Sequence, residues 1–156
     1  MRLREIDAGE TSALLECITQ LSEHHNRISV NFKGSFPRRP YKETIRDFTD
    51  SMKRNESLIA VVEEPNKVVG FCKIDIADNT GKLDYLVVLQ EYRGKGCGRQ
   101  LMDWAMTVFK EHHISHIDVK VVDGNDAIHF YEKYGFRTKS HILSYSADLY
   151  RPTEEL

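Results

Sequence analysis

The chain lacks any apolar run approaching the roughly 20 residues needed to cross a bilayer. Its first residues, Met1-Arg2-Leu3-Arg4-Glu5, lack an apolar signal segment, which argues against export and for a cytoplasmic location. Cysteine is scarce: Cys17, Cys72 and Cys97 are widely spaced and form no CxxC pair. That excludes a disulfide framework and a zinc knuckle and predicts reduced thiols. No linker, repeat or low-complexity tract interrupts the 156 residues, so one domain over residues 1–156 is expected. At 40% hydrophobic and 29% charged residues, the composition also excludes collagen-like and disordered chains.

A net charge of −2 argues against nucleic acid as a bulk partner. That total hides an asymmetry. Between His24 and Lys42 lie five basic residues (Arg27, Lys33, Arg38, Arg39, Lys42) and no acid, leaving 17 basic against 24 acidic residues elsewhere. A basic segment on an acidic body suits either an acidic ligand or a solvated loop.

Alternation predicts a short strand over residues 2–7. Asp7 and Glu10 are spaced as a capping box, and Leu14, Cys17, Ile18 and Leu21 recur at helical spacing, predicting a helix over residues 9–25. Residues 24–39 hold Gly34 and Pro37 and read as a loop. Pro40 then opens a helix carrying Ile45, Phe48 and Met52. Apolar runs predict strands over residues 57–63 and 68–77 about a Pro65-Asn66 turn. A third strand, over residues 83–88, follows an Asn79-Thr80-Gly81 turn. Leu101, Ala105, Val108, Phe109 and His112 form a helical stripe, flanked by Met102 and Trp104. Ile117, Val119 and Val121 then alternate as a strand. Residues 126–134 read as a short helix closed by Gly135, and Phe136 and residues 142–149 as final strands. This order predicts a mixed α+β domain around one sheet.

The most informative residues are Arg93-Gly94-Lys95-Gly96-Cys97-Gly98-Arg99, between a strand and an amphipathic helix. Alternate glycines permit unusual dihedrals and close approach of a ligand to the backbone. The helix start adds unpaired N–H groups, and Arg93, Lys95 and Arg99 add charge, which together make an anion cradle suited to a phosphate or pyrophosphate. Each hydrogen bond to a charged oxygen contributes about 1.5–3 kcal/mol. A Walker A loop fails, because Gly94-Lys95 is followed by Gly96 and not by Ser or Thr. A dinucleotide fingerprint fails too, with Arg99 or Leu101 where its last glycine belongs.

Arg93-x-x-Gly96-x-Gly98 instead resembles the (Gln/Arg)-x-x-Gly-x-(Gly/Ala) signature of the GNAT superfamily of acyl-CoA-dependent N-acetyltransferases. The chain departs from many members at Gln90, where they carry proline. A second block, Asn125-Asp126-Ala127-Ile128-His129-Phe130-Tyr131-Glu132-Lys133-Tyr134-Gly135-Phe136, resembles the family's Asn-x-x-Ala-x-x-Phe-Tyr-x-x-x-Gly-Phe segment. Together they cover roughly residues 57–137. The resemblance implies a mixed, mostly antiparallel central sheet with helices on both faces, and acetyl-CoA as cosubstrate without a metal. It also implies an amine acceptor, either a small molecule or a peptide, with no nucleic acid and no membrane. The oligomeric state is left open, a homodimer included.

In that family the thioester is already activated, so the protein must supply a neutral amine, geometry and a proton for the leaving sulfur. Freeing an alkylamine near neutral pH costs roughly 4 kcal/mol, which a general base addresses. The resemblance places Asp84 where many members carry glutamate, and Asp75 is a weaker candidate. Tyr131 stands where the family's tyrosine protonates the departing thiolate. Leu86, Val87 and Val88 would offer backbone groups to the pantetheine arm, an amide among them to the oxyanion. Residues Arg93, Gly94, Lys95, Gly96, Cys97, Gly98 and Arg99 would hold the pyrophosphate, and Asn125 the cofactor arm. Cys97 invites a nucleophile reading, but no histidine lies near it in sequence. His112, His113 and His116 straddle a helix end and the following strand, which favours a solvated terminus over a metal site. In the basic stretch, Phe32, Phe36 and Tyr41 are candidates to wall an acceptor pocket, and Arg38 and Arg39 to attract an acidic acceptor. The alternative to an enzyme is a silent acyl-CoA-binding sensor or scaffold.

Overall fold

The computed structural model describes residues 1–147. The chain falls into two compact units, Met1–Asn125 and Asp126–Leu156. In the first, five strands form one sheet in sequence order: β1 (Arg2–Glu5), β2 (Ser57–Glu64), β3 (Lys67–Ala77), β4 (Thr80–Val88) and β5 (His116–Val119). Neighbours pair antiparallel except β4 and β5, which are parallel. Three α-helices accompany them: α1 (Leu15–Ile28), α2 (Tyr41–Lys53) and α3 (Cys97–Glu111). This is the expected mixed sheet with helices on both faces.

Successive strand residues point to opposite faces, and β3 shows which helix covers which. A Cβ on Gly70 would lie 3.4 Å from Leu101 of α3, whereas the next residue, Phe71, turns its ring to Phe48 of α2 at 6.1 Å. Leu101, Met102, Ala105, Val108 and Phe109 are buried from α3, and Ile59 to Val62 of β2 are buried without a break. Fully burying one such Leu or Phe contributes about 1.5–3 kcal/mol.

Local signals held where short-range chemistry governs. Asp7 accepts from Gly9 N at 2.9 Å and Glu10 from Asp7 N at 3.2 Å, completing the expected capping box. The box opens a 3-10 helix (Ala8–Leu14), however, and α1 begins only at Leu15 and runs on to Ile28. The predicted loop thus gives its first residues, His24 to Ile28, to the helix. The β3–β4 turn is Asp78-Asn79, with Asp78 at φ 55°, and Thr80 and Gly81 already belong to β4. On α3, Met102 is fully buried within the apolar face, while His112 is exposed and its Nδ1 lies 2.9 Å from Val108 O. Val121 lies beyond β5.

The second unit contains α4 (Ala127–Lys133) and an aromatic cluster. Phe130 stands 5.6 Å from Tyr131 and 5.3 Å from Tyr134, and Tyr131 5.9 Å from Phe136, between ring centroids. The expected final strands are not formed over residues 136–147, where Ile142, Leu143 and Tyr145 are exposed. The rest of that expectation, residues 148–149, lies outside the described residues. Among the described residues no helix is long and apolar enough to cross a membrane.

Candidate active site

The anion cradle has the expected backbone. Gly94 and Gly96 take φ 78° and 85°, and Gly96 is the left-handed residue immediately before α3. The first helical hydrogen bond runs from Gln100 N to Gly96 O at 3.0 Å, so the N–H groups of Cys97, Gly98 and Arg99 belong to the unpaired first turn. A Cβ built on Gly94 or Gly96 would meet nothing within 4 Å, so the space above the loop is open. Arg93, Lys95 and Arg99 are exposed around it. Open space, three amides at a helix N-terminus and three cations fit a pyrophosphate. Cys97 does not present its thiol there. It is buried, with Sγ 3.5 Å from Met1 Sδ, so its backbone is the part available to a ligand.

β4 supplies the second component. Its parallel pairing with β5 covers only Thr80 to Leu83. Beyond that point no strand among the described residues pairs with the outer edge of residues 84–88, which include Leu86, Val87 and Val88. An unpaired edge offers N–H and C=O groups to an extended, amide-bearing ligand. Asn125 ends the unit in a turn, its N–H bonded to Val122 O at 3.0 Å.

The third component is a bulge. Lys73 pairs with Tyr85 but Ile74 pairs with Leu83, so Asp84 is an extra residue in β4. A bulge re-aims side chains and breaks alternation. Gly81, two residues before Leu83, faces Phe109 of α3. After the bulge, Tyr85 faces the other way, 5.0 Å from Phe48 of α2 and 5.9 Å from Phe71. Asp84 and Tyr85 both line a cavity of about 500 Å³ on the α2 side, with Phe48 in its wall. Burial, with the Asp84 charge adding, pushes the Tyr85 hydroxyl above its ordinary value.

The cavity is acidic. Asp47, Asp50, Glu56, Asp75 and Asp84 face Arg39, Arg54 and Lys73. Asp84 Oδ2 accepts from Lys73 Nζ at 2.7 Å, and Oδ1 lies 3.2 Å from Lys82 Nζ. Lys73 also reaches Asp75 at 2.6 Å. Of the basic stretch only Arg39 lines the cavity, and it is paired with Asp47 and Glu43 of α2. Arg38 stands over Phe36 and Phe32, 5.3 and 5.6 Å from their centroids. Phe32, Phe36 and Tyr41 are not among the lining residues.

Tyr131 lies on α4 in the second unit, buried and in contact with Phe130 and Phe136. Lys73 was not anticipated from sequence. Its signal was a single lysine inside the apolar run of β3, between Cys72 and Ile74, where a surface cation has no place.

A Bacillus subtilis (strain 168) protein assigned to the acetyltransferases by name is 37% identical over 75 residues, 48% of this chain and 50% of that protein. The chain spans half or less of the length of the curated relatives it matches. A mutant of the BH1408 protein from Bacillus halodurans shares the fold at TM-score 0.77 and 23% identity, over 94% of this chain and 99% of that one. The PaiA N-acetyltransferase of Thermoplasma acidophilum, solved in complex with coenzyme A, follows at TM-score 0.73 and 21% identity, covering 90% and 92%. The model of the acetyltransferase (GNAT) family matches residues 19–136, which hold the glycine loop, the open β4 edge and both motif blocks. With three quarters of its length matched, the chain belongs to the GNAT acetyltransferase family.

Proposed function

We propose that the chain is an N-acetyltransferase that moves an acetyl group from acetyl-CoA to a primary amine, by direct attack in a ternary complex. The observation that carries this reading is Asp84, a carboxylate at a bulge that lines the cavity at the point where β4 loses its outer partner. The family model runs across both compact units, which supports reading residues 1–156 as one acyltransferase domain. A cytoplasmic location accords with the free, buried cysteines.

Acetyl-CoA supplies an acyl group already activated as a thioester. The glycine loop binds its pyrophosphate through the amides of residues 97–99 and the charges of Arg93, Lys95 and Arg99. The open edge of Leu86, Val87 and Val88, with Asn125, takes the pantetheine amides. Asp84 accepts the proton that the acceptor ammonium must lose before its nitrogen can bond to the acyl carbon. As the carbon–sulfur bond breaks, Tyr131 donates a proton to the sulfur, an assignment that rests on its motif position.

Five carboxylates against three cations suit an acceptor that arrives protonated, and not an acidic one. The basic stretch therefore does not define the acceptor, because its two adjacent arginines are spent on Phe32, Phe36, Asp47 and Glu43. A panel of small amines and amine-bearing peptides, incubated with acetyl-CoA and read by release of free thiol, tests the function. Turnover on cationic amines is expected. Silence across the panel with acetyl-CoA binding intact would overturn the enzyme reading in favour of a sensor.

A further inference from the structure

Lys73 has only 4% of its surface exposed, at the centre of β3, and the proposed chemistry does not use it. Its ammonium has three donors. Two meet Asp75 Oδ1 at 2.6 Å and Asp84 Oδ2 at 2.7 Å. Nζ also stands 5.2 Å from the Phe48 ring centroid. Asp75 is itself held, its Oδ1 accepting from Ser57 Oγ at 2.6 Å. A buried ion pair is rarely the most stable way to fill such a space, since an apolar chain packs on a phenyl ring without desolvation. The arrangement therefore calls for a role beyond packing.

The two oxygens of Asp84 differ. Oδ2 is bound at 2.7 Å by the ammonium of Lys73, whose side chain is only 6% exposed. Among the described residues Oδ1 meets Lys82, whose side chain is 44% exposed to solvent. Asp84 is also the bulged residue, outside the regular ladder, so strand pairing alone does not set its side-chain direction. From this asymmetry we propose that Lys73 is a positioning residue for acyl transfer. It clamps Asp84 through Oδ2, with Asp75 as the second arm of the clamp, and presents Oδ1 to the acceptor amine. An arriving ammonium replaces Lys82, and Lys73 stays in place.

The inference rests on Asp84 being the base, and a double-mutant cycle separates the two claims. Lys73→Met, Asp84→Asn and the double variant are compared by kcat, amine KM and acetyl-CoA Kd from calorimetry. Lys73→Met is expected to lower kcat roughly 10- to 100-fold with acetyl-CoA Kd unchanged. In the Asp84→Asn background it should lower kcat no further, because its effect passes through that carboxylate. Lys73→Arg, which keeps the charge, should retain more kcat than Lys73→Met. Lys73→Gln replaces the Met variant if the latter does not fold. A kcat loss that multiplies in the Asp84→Asn background overturns the positioning role and leaves the base standing. Full activity of Asp84→Asn alone removes the base assignment and the positioning role with it.

Discussion

The buried Ser29 hydroxyl donates to Asp123 Oδ1 at 2.7 Å, joining residues 94 positions apart. The other oxygen of Asp123 accepts from Val30 N and Asn31 N, each at 2.9 Å. These bonds, the Ser29 hydroxyl foremost, hold the Asp123 carboxyl below its ordinary range. They tie the end of α1 to the turn that carries Asn125. Ser29→Ala removes the donor and also the acceptor for Phe32 N. A cost of about 1–2 kcal/mol is expected, or a Tm drop of roughly 3–8 °C for a domain of this size. Differential scanning calorimetry checks it.

Gly124 is the next residue, at φ 80°, and a Cβ there would lie 2.2 Å from Ile28 O, a backbone atom that cannot turn aside. Gly124→Ala therefore combines a left-handed dihedral, about 1–2 kcal/mol, with a collision. Gly34→Ala has the same dihedral cost, at φ 81°, but nothing within 4 Å. Urea unfolding should show a clearly larger loss for Gly124→Ala. Equal losses would mean that the loop moves off Ile28 freely.

His25 packs edge-on to Phe36 at 5.2 Å between ring centroids, and burial, with His24 beside it, pushes it down to about 4. The unfolded chain then binds a proton near pH 6.5 that the folded chain refuses. Its contribution is complete above pH 6.5 and is lost as pH falls through 4. His25→Asn should flatten the stability profile over that window while leaving the steeper carboxylate limb below it. Melting temperatures at half-unit steps from pH 4 to 7 give the comparison.

Tyr131 tests the motif assignment directly. If it protonates the leaving sulfur, Tyr131→Phe should slow single-turnover acetyl transfer roughly 10²-fold or more, with the fold preserved. A ring that only packs against Phe130 and Phe136 predicts little change in rate.

Gly96 probes the proposed cofactor loop by binding alone. At φ 85° a β-branched residue is strained, and its side chain would enter the open space above the loop. Gly96→Val should raise the acetyl-CoA Kd tenfold or more, a loss of about 1.4 kcal/mol, by calorimetry. An unchanged Kd would move the pyrophosphate away from this turn.

Where backbone geometry depends on adjacent residues, prediction and fold agree. The Asp7–Glu10 box, the helix after Pro40, the glycine turn into α3 and the apolar runs of β2 and β3 are all local effects. The misses share one cause as well. The β3–β4 turn moved to Asp78-Asn79, and His112 left the α3 stripe, because long-range packing decides which of several acceptable local forms is used. The strands expected beyond Phe136 did not form over residues 136–147, although their composition suits a strand, since composition alone supplies no partner.

By itself the sequence determined the family and the glycine turn that opens α3, and it supplied the residues proposed for thioester transfer, since each is a short contiguous pattern with its own chemistry. Tertiary structure alone decided what Asp84 touches. Its extra place in the ladder depends on how β3 and β4 pair, and its clamp on Lys73, eleven residues away along the chain. A bulge and a buried ion pair join strands that neither motif describes, so only the folded sheet brings them together.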